Sequence, residues 1–411
     1  MMKKIVIVAG ARPNFVKVAP LIRAIQKTER ASYQLVYAGR EDDPTLEPSL
    51  FNDLQMPCPD VYLGVDSTSL NEITSRVMAE FDALLEREPA DVVIVVDDLA
   101  STMAAAIVTK KRGIRLAHLV AGTRSFDMKM PKEVNRLVID ALSDYLFTAG
   151  VRSNSVATRE QANATENAGH SDGGTFMVGN ILMDTLRFNH QRLRKPVIDV
   201  EQGKYLVFTI NRKALLDDTE KLALLLQAMT TAAGTMPIIA PLRGQARQVI
   251  EHLIPATGHS ASTTHSASAT GHSASATGHN PATDGAANLQ SSIFNLQSSV
   301  FNLQPSLSYL EFGWLTAHAC GIITDSGNVA EEATFNGVPC ITLNSYTEHQ
   351  ETVTIGSNVL VGEDPQRLGE EVRKMVTGEW KKCALPDRWD GRTAERIVQI
   401  LLLTPSNLHY S

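Results

Sequence analysis

The sequence predicts an α/β protein built from two doubly wound parallel-sheet domains that face a central cleft. Short, almost wholly apolar runs recur along the chain, which is typical of parallel strands buried on both faces. The segments between these runs place apolar residues at helical spacing and predict right-handed crossover helices. With 411 residues, the chain is long enough for two domains that each bury a core of their own.

The first series of strands predicts an N-terminal Rossmann-like domain over residues 1–182. Its strands are, in order, KIVIVAG, YQLVYAG, DVVIVVDD, RLAHLVAG, DYLFTAG and GTFMVGN. Segments such as NFVKVAPLIRAIQK supply the helices between them. The apolar run Ile5–Ala9 stops at Gly10 and is too short for a signal peptide. We therefore expect a buried first strand there.

A second series of strands predicts a C-terminal nucleotide-binding Rossmann-like domain over residues 183–390. Its strands are KYLVFTI, MPIIAPL, CGIITDSG and VPCITLN. The segment TAERIVQILLL lies within residues 391–411, and we expect it to form a helix that packs back on the body of the protein.

A low-complexity insertion, residues 255–305, interrupts the second domain. It contains the near-repeats ATGHSAS and SSIFNLQ/SSVFNLQ and has too few apolar residues to bury a core, so it predicts an inserted surface loop. The weaker alternative is a metal site, since four histidines recur there: His259, His265, His272 and His279. Ligands on such a tract lack the neighbours that fix a metal site, and we predict no metal.

Composition excludes several classes of function. The net charge of −7 argues against nucleic acid as a partner. No stretch approaches the roughly 18 apolar residues that a membrane span needs. The spacing of the cysteines is neither that of a zinc site nor that of a disulfide scaffold, which predicts reduced thiols in the cytoplasm. These cysteines are Cys58, Cys320, Cys340 and Cys383.

Ligands of open α/β sheets bind beyond the carboxyl ends of the strands, where two loops of the first domain carry charge. After the first strand, Gly10 permits a tight turn, and Arg12 and Lys17 flank a helix start that favours an anion. After the third, Asp97 and Asp98 offer a base or a ribose ligand. The alternatives are solvated charges at the first position and helix caps at the second.

The segment TDSGNVAEEA of the second domain places Ser326, Gly327 and Asn328 at a strand-to-helix turn. Backbone and hydroxyl donors there suit a diphosphate, while Glu331 or Glu332 one turn further on suits ribose hydroxyls. The alternative is a plain capped helix. Anion sites on both domains together indicate a nucleotide-linked substrate across the cleft.

Five segments resemble the non-hydrolysing UDP-N-acetylglucosamine 2-epimerases: GARPNFVKVAPLI, HLVAGTRSFDMKMPKEVNRLVIDALSDYLF, VGNILMDTL, ITDSGNVAEEATFNGVPCITL and TEHQETV…GSNVLVG. The similarity runs in order through most of the chain outside residues 255–305. It implies the GT-B architecture, in which two Rossmann-like domains hold the nucleotide sugar between them. It also implies a cytoplasmic homodimer that needs no cofactor and that takes part in the synthesis of polysaccharide precursors. The implied reaction converts UDP-GlcNAc to UDP-ManNAc by eliminating UDP and re-adding it on the other face of a glycal-type intermediate.

The resemblance also implies a set of site residues. Asp98 matches a catalytic acid of the family. The matching substrate-binding and site-loop residues are Arg12, Lys17, Arg124, Glu133, Asn135, Arg136, Ser326, Gly327 and Glu332, and the implied substrate-binding set also contains Phe312.

Three catalytic positions of the family are substituted in this sequence. Val120 replaces the glutamate of HVEAGLR, Lys132 replaces the first glutamate of PEE, and Asn211 replaces a histidine. Asparagine cannot titrate, so it cannot serve as a general base. Each loss could cost about 10²-fold or more in acid–base catalysis, although such effects are not additive.

Further substitutions lie at binding positions. Arg243 replaces a histidine, Asn328 replaces the second glycine of SGG, and Asn344 and His349 replace arginines. Residues 39–41 read GRE where the family has a GQH motif that is associated with regulation in some members.

We therefore predict a family member whose epimerisation of UDP-N-acetylglucosamine is weak or lost. One alternative is a non-catalytic homologue that binds nucleotide sugars, either as partner of a true epimerase or as a sensor. Another is a GT-B enzyme that acts on a different nucleotide sugar, with Lys132, Asn211 and Arg243 forming a different site.

Overall fold

A computed structural model describes residues 2–165, 173–254 and 300–403. The N-terminal part contains β1 (Lys3–Ala9), α1 (Arg12–Gln26), β2 (Ala31–Tyr37), α2 (Pro48–Leu54), β3 (Val61–Tyr62), α3 (Leu70–Arg87), β4 (Val92–Val96), α4 (Ala100–Lys111), β5 (Arg115–Leu119), α5 (Pro131–Leu142), β6 (Tyr145–Thr148), α6 (Val151–Thr165), β7 (Gly174–Met177), α7 (Ile181–Asn189) and a 3₁₀ helix, His190–Arg192.

The C-terminal part repeats the alternation of strands and helices. It contains β8 (Leu206–Phe208), α8 (Lys213–Asp217), α9 (Thr219–Ala233), β9 (Ile238–Pro241), α10 (Gly244–Leu253), β10 (Phe301–Gln304), α11 (Tyr309–Ala317), β11 (Gly321–Thr324), α12 (Gly327–Asn336), β12 (Cys340–Thr342), α13 (Gln350–Thr354), β13 (Asn358–Leu360), α14 (Pro365–Thr377) and α15 (Thr393–Leu403).

The strands form two separate parallel sheets. Within the described ranges the first has the order β3-β2-β1-β4-β5-β6-β7 and the second the order β10-β9-β8-β11-β12-β13. Every strand pair is parallel. The predicted fold class, two doubly wound parallel-sheet domains, is confirmed.

The apolar runs became strands because helices cover both faces of each sheet. Every side chain of β4 is buried. Val92, Ile94 and Val96 join the core on one face of the first sheet, whereas Val93 and Val95 join the core on the other. This division follows from the alternation of side chains along a strand. The unbroken apolar pattern thus reflects burial on two sides.

Three strands were not among those predicted. The strands β3 and β13, of two and three residues, are too short to leave a hydrophobic pattern in the sequence. The strand β10 covers residues that we had assigned to the low-complexity insertion, and it pairs with β9 at the edge of the second sheet. An edge strand buries fewer side chains than a central one, so the alternating FNLQ sequence is sufficient. Residues 255–299 of that insertion, which include its four histidines, lie outside the described residues.

The C-terminal helix α15 packs on the first domain. Its buried side chains Ala394, Ile397, Val398 and Leu401 belong to the core cluster around α1 and β1. Polar contacts hold it at both ends: the Asp184 carboxylate accepts hydrogen bonds from the first two backbone amides at 3.0 and 2.8 Å, and Lys3 Nζ donates to the Leu401 carbonyl at 2.5 Å. Both charges complement the helix dipole.

The strand orders fix where a ligand can bind. In each sheet the order reverses direction at one point, between β1 and β4 in the first and between β8 and β11 in the second. Loops that follow the strands on either side of such a point diverge and leave a crevice at the carboxyl ends. Among the described residues no helix is both long enough and apolar enough to cross a membrane.

Candidate functional site

A cleft of about 680 Å³ lies where the strand ends of the two domains face each other. Its first-domain wall comes from the loops after β1, β4 and β5 and from the start of α5: Ala11, Pro13, Asn14, Lys17, Asp97, Asp98, Leu99, His118, Val120, Thr123, Met130, Lys132 and Arg136. Its second-domain wall comes from the loops after β8, β11 and β12: Asn211, Arg212, Asp325, Ser326, Gly327, Asn328, Ala330, Thr342, Asn344, Ser345, Tyr346, Thr347, Glu348 and His349.

Lys17 and Asp97 form a buried ion pair at the base of the cleft. Lys17 Nζ lies 2.6 Å from Asp97 Oδ1, and Asn14 Nδ2 donates to Asp97 Oδ2 at 2.7 Å. Burial opposes both charges, but the pair raises the pKa of Lys17 and lowers that of Asp97. The sequence predicted either carboxylate as a base or ribose ligand and matched only Asp98 to a catalytic position of the family, whereas Asp97 is the one paired with Lys17.

Asp98 is held by groups on α5. Asn135 Nδ2 donates to its backbone carbonyl at 2.8 Å, and Arg136 Nε donates to its Oδ2 at 2.7 Å. Lys132, whose side chain is 58% exposed, approaches Asp98 Oδ1 at 3.7 Å. Lys132 is therefore a solvent-accessible cation on the cleft wall.

Glu133 and Arg124 are buried and have protein partners. The Glu133 carboxylate accepts from the Ser125 backbone amide and hydroxyl, both at 2.8 Å, and from the Phe126 amide at 3.1 Å. Arg124 lies 2.7 Å from Asp140 Oδ2 and also pairs with Glu160. Neither is among the residues that line the cleft. Their contacts shape the loop between β5 and α5.

Val120 lies directly after β5 and has a left-handed backbone with φ of 75°. A β-branched side chain rarely adopts that conformation, because its Cβ branches crowd the backbone. The preceding His118 is buried, with Nδ1 2.5 Å from Asp140 Oδ1 and Nε2 3.0 Å from the Asp97 carbonyl. Val120 therefore places an apolar surface at the end of a polar, tightly constrained loop.

The predicted strand-to-helix turn forms part of the second-domain wall. Ser326 caps α12, and its side chain accepts from the Val329 amide. Gly327 and Asn328 form the first turn of that helix, so its free amides face the cleft. The Asp325 carboxylate accepts from the backbone amides of Asn211 and Arg212 at 2.7 and 2.6 Å.

Glu348 and Tyr346, which sequence reasoning missed, connect the two walls. Glu348 Oε1 lies 2.5 Å from Arg136 and accepts from Tyr346 Oη at 3.1 Å. Burial disfavours the charge on Arg136, but the carboxylates of Asp98 and Glu348 raise its pKa above the ordinary value. The polar run after β12 could have indicated these site residues, because β12 lies next to β11, where the strand order of the second sheet reverses.

His349 forms a second polar cluster at the base of the cleft. Its Nδ1 lies 3.1 Å from Glu331 Oε1, and Asn180 Nδ2 donates to that same oxygen at 2.6 Å. Glu331 and Asn180 are buried, whereas the His349 side chain remains 15% exposed. The cluster joins α7 and α12 to the loop before α13.

Besides Arg124 and Glu133, four further residues of the expected substrate-binding set lie outside the lining of the cleft: Arg12, Arg243, Phe312 and Glu332. Burial, and then the nearby charge of Arg243, lowers the pKa of Arg12. Phe312 packs against a core cluster of the second domain. Burial, and then the charge of Glu331, raises the pKa of Glu332 to about 8. Across the described ranges no group of three or more His, Cys, Asp or Glu side chains is arranged to hold a metal ion.

Comparisons with known proteins point to one family. The family model for UDP-N-acetylglucosamine 2-epimerase matches residues 23–402. A UDP-N-acetylglucosamine 2-epimerase of Methanocaldococcus jannaschii is 30% identical over 97% of this chain and 98% of its own length. A UDP-2,3-diacetamido-2,3-dideoxy-D-glucuronate 2-epimerase of Pseudomonas aeruginosa is 29% identical over 90% of this chain and 91% of its own.

Solved structures give the same result for the fold. The Methanocaldococcus jannaschii UDP-GlcNAc 2-epimerase, crystallised in complex with UDP-GlcNAc and UDP, aligns with a TM-score of 0.74 at 28% identity, covering 97% of this chain and 99% of that one. The Neisseria meningitidis UDP-GlcNAc 2-epimerase bound to UDP-GlcNAc aligns with a TM-score of 0.73 at 22% identity, covering 98% and 100%. The shared fold is the predicted GT-B arrangement.

Proposed function

The chain belongs to the UDP-N-acetylglucosamine 2-epimerase family, and from this membership we propose that its cleft binds UDP-N-acetylglucosamine but epimerises it weakly or not at all. Binding and turnover depend on different residues of the cleft. Some of the binding groups are retained, among them Lys17, Ser326 and Gly327. Three positions that carry the family's acid–base chemistry are changed.

Retained groups on both walls support nucleotide binding. The α12 N-terminus, with Ser326 and Gly327 retained and Asn328 in place of a family glycine, presents amides and a hydroxyl suited to a diphosphate. Lys17 and Asp98 line the opposite wall of the same cleft. Arg12 and Glu332 complete the proposed UDP-binding set. Neither lines the cleft, so the proposal requires their side chains to contact UDP from just outside the lining.

The observation that carries the proposal of weak turnover is the cleft wall itself. Three substituted positions line the cleft: Val120, Lys132 and Asn211. A nucleotide sugar bound in the cleft would therefore lie next to them. An apolar group, an ammonium and an amide at these positions cannot provide the carboxylates and imidazole that proton transfer at C2 would use.

The direct test is to measure binding and turnover separately. Calorimetry with UDP should give a measurable affinity, while ¹H NMR in deuterated water follows the C2 proton of UDP-N-acetylglucosamine. We expect binding with little or no deuterium at C2. Formation of the manno epimer at an ordinary enzymatic rate would contradict weak turnover, and absence of UDP binding would contradict the whole proposal.

The triple variant Val120→Glu, Lys132→Glu, Asn211→His tests the cause of the weak turnover. Restoring the family's residues should raise C2 exchange by about 10²-fold or more, since each group contributes to acid–base catalysis. The binding of UDP is the internal control and should persist. A triple variant that binds UDP and gains no exchange would show that the defect lies elsewhere.

A nucleotide sugar that carries a carboxylate is the second candidate substrate. Lys132 favours it, because this ammonium is 58% exposed on the cleft wall and can pair with an anionic sugar. The Pseudomonas aeruginosa relative is named for a glucuronate substrate, which is consistent with such a preference. Turnover of a UDP-N-acetylglucosaminuronate, reduced by Lys132→Met, would select this candidate over UDP-N-acetylglucosamine.

Several finer expectations remain proposals. We propose domains over residues 1–182 and 183–390, a cytoplasmic homodimer and a role in supplying polysaccharide precursors. The buried contacts of Arg124, Glu133 and Arg136 support a shared role in forming the substrate loop. Light scattering at micromolar concentration tests the oligomer, for which we expect twice the 44.7 kDa mass of one chain.

A further inference from the structure

His349 carries an orientation that suits proton transfer. His349 Nδ1 lies 3.1 Å from Glu331 Oε1, and because a carboxylate only accepts hydrogen bonds, the neutral tautomer that can donate to it is the one with the proton on Nδ1. The Glu331 carboxylate is itself fixed, since Asn180 donates to it at 2.6 Å and caps α7 with its other amide atom. With Nδ1 occupied in this way, the lone pair of Nε2 is available on the opposite edge of the ring.

The position of the imidazole links it to the reacting part of the cleft. His349 and Glu331 line a small cavity together with Lys17 and Val120. The other edge of the ring faces the diphosphate turn, because a Cβ placed on Gly327 would lie 3.7 Å from His349 Cδ2. The imidazole therefore lies near both Val120, where a carboxylate is missing, and the turn that suits the leaving group.

We propose that His349, oriented by Glu331 and Asn180, is the proton-transfer group for the C2 chemistry that this chain retains. The inference rests on the proposed function, because it assumes that a UDP-sugar occupies the cleft. An imidazole whose first nitrogen is oriented by a carboxylate and whose second faces a substrate is the arrangement that general acid–base catalysis requires.

In the proposed step the His349 Nε2 lone pair takes the proton from C2 of the sugar. The electron pair of the C2–H bond forms the C1–C2 double bond. The C1–O bond breaks, and its electrons leave with the β-phosphate of UDP, whose charge the amides of the α12 turn stabilise. In re-addition an oxygen of the UDP β-phosphate forms the C1–O bond again, and the electrons of the C1–C2 double bond take a proton from solvent water on the other face of C2, which inverts that carbon.

The test compares wild type with His349→Ala by calorimetry for UDP and by deuterium exchange at C2 of UDP-N-acetylglucosamine. We expect exchange to fall by about 10²-fold, the contribution of a general base. The Kd for UDP should change by less than about tenfold, the equivalent of one hydrogen bond. Added imidazole should restore part of the exchange in His349→Ala. If Glu331→Gln exchanged C2 deuterium as fast as wild type, Glu331 would not orient His349.

The matched control is His252→Ala, because this exposed histidine of α10 contacts only the Gln248 carbonyl among the hydrogen bonds described for it. It should exchange at the wild-type rate and gain nothing from imidazole. Three outcomes would overturn the proton-transfer role. The first is a His349→Ala variant that exchanges as fast as wild type, and the second is a loss of exchange that imidazole does not restore. The third is wild-type protein that binds UDP but shows no exchange. Failure of wild type to bind UDP would instead overturn the proposed function.

Discussion

At the scale of single residues, two adjacent strand ends combine strain with polar chemistry. Asp97 after β4 and Val120 after β5 both have left-handed backbones, with φ of 59° and 75°. Such conformations cost on the order of 1–3 kcal/mol each and persist where the surrounding contacts determine them. Asp97 is fixed by Lys17 and Asn14. The backbone at Val120 is strained in the same way, although a valine side chain cannot transfer a proton.

Glu332 gives a residue-scale prediction with a defined pH dependence. Its pKa is raised to about 8 by burial and then by Glu331, so the folded protein holds it protonated at neutral pH. The unfolded chain releases that proton near pH 4.3. Folding stability associated with Glu332 is therefore present below about pH 4.3 and is lost progressively as the pH rises to about 8.

Glu332→Gln removes this ionisation and should stabilise the protein relative to wild type as the pH rises from 4.5 to 8. The gain should reach a few kcal/mol, since each pKa unit corresponds to about 1.4 kcal/mol. Urea unfolding at several pH values measures it, with the exposed Glu379→Gln as control. An equal difference from wild type at every pH would contradict the raised pKa.

At the scale of elements, helix α15 depends on contacts from residues far from it along the chain. Asp184 on α7 satisfies two of its first backbone amides, and Lys3 on β1 binds the Leu401 carbonyl near its end. The apolar face of α15 completes the core of the first domain. Helix α15 thereby holds the residues that follow the second domain against the first domain.

Asp184→Ala should loosen this helix because it leaves the backbone amides of Thr393 and Ala394 without their acceptor. Loss of such a cap costs about 1–2 kcal/mol. We expect a lower free energy of unfolding in urea and faster hydrogen exchange in α15. The exposed Asp199→Ala should leave both unchanged. Unaltered exchange in α15 would show that apolar packing alone holds the helix.

At the scale of the whole molecule, the bridge between Arg136 and Glu348 connects the two domains. Arg136 side-chain exposure is only 3% and that of Glu348 is 23%, so solvent screens the pair less than an ordinary surface ion pair. Arg136 also binds Asp98 and Glu133. The bridge between the domains therefore uses the same arginine that arranges the first-domain wall of the cleft.

Glu348→Ala should shift the ligand-free protein toward more open domains. Losing the bridge is worth about 1 kcal/mol, or roughly a fivefold change in the ratio of open to closed molecules. Small-angle scattering should detect a larger radius of gyration, and hydrogen exchange should increase in the loop after Arg124. The exposed Glu220→Ala is the control. A scattering curve identical to that of wild type would exclude a role in closure.

The sequence by itself determined the two-domain α/β fold, because strands buried on both faces and their amphipathic helices leave local, periodic patterns. It also located the strand-end turns at Lys17, Asp98 and Ser326 that line the cleft. Tertiary structure decided which polar groups meet there. Glu348 with Arg136 and His349 with Glu331 are pairs separated widely along the chain, and only the packing of the elements brings their side chains together. Buried partners likewise turned Arg124 and Glu133 toward the protein, because a charge without water requires a counter-charge or hydrogen bonds.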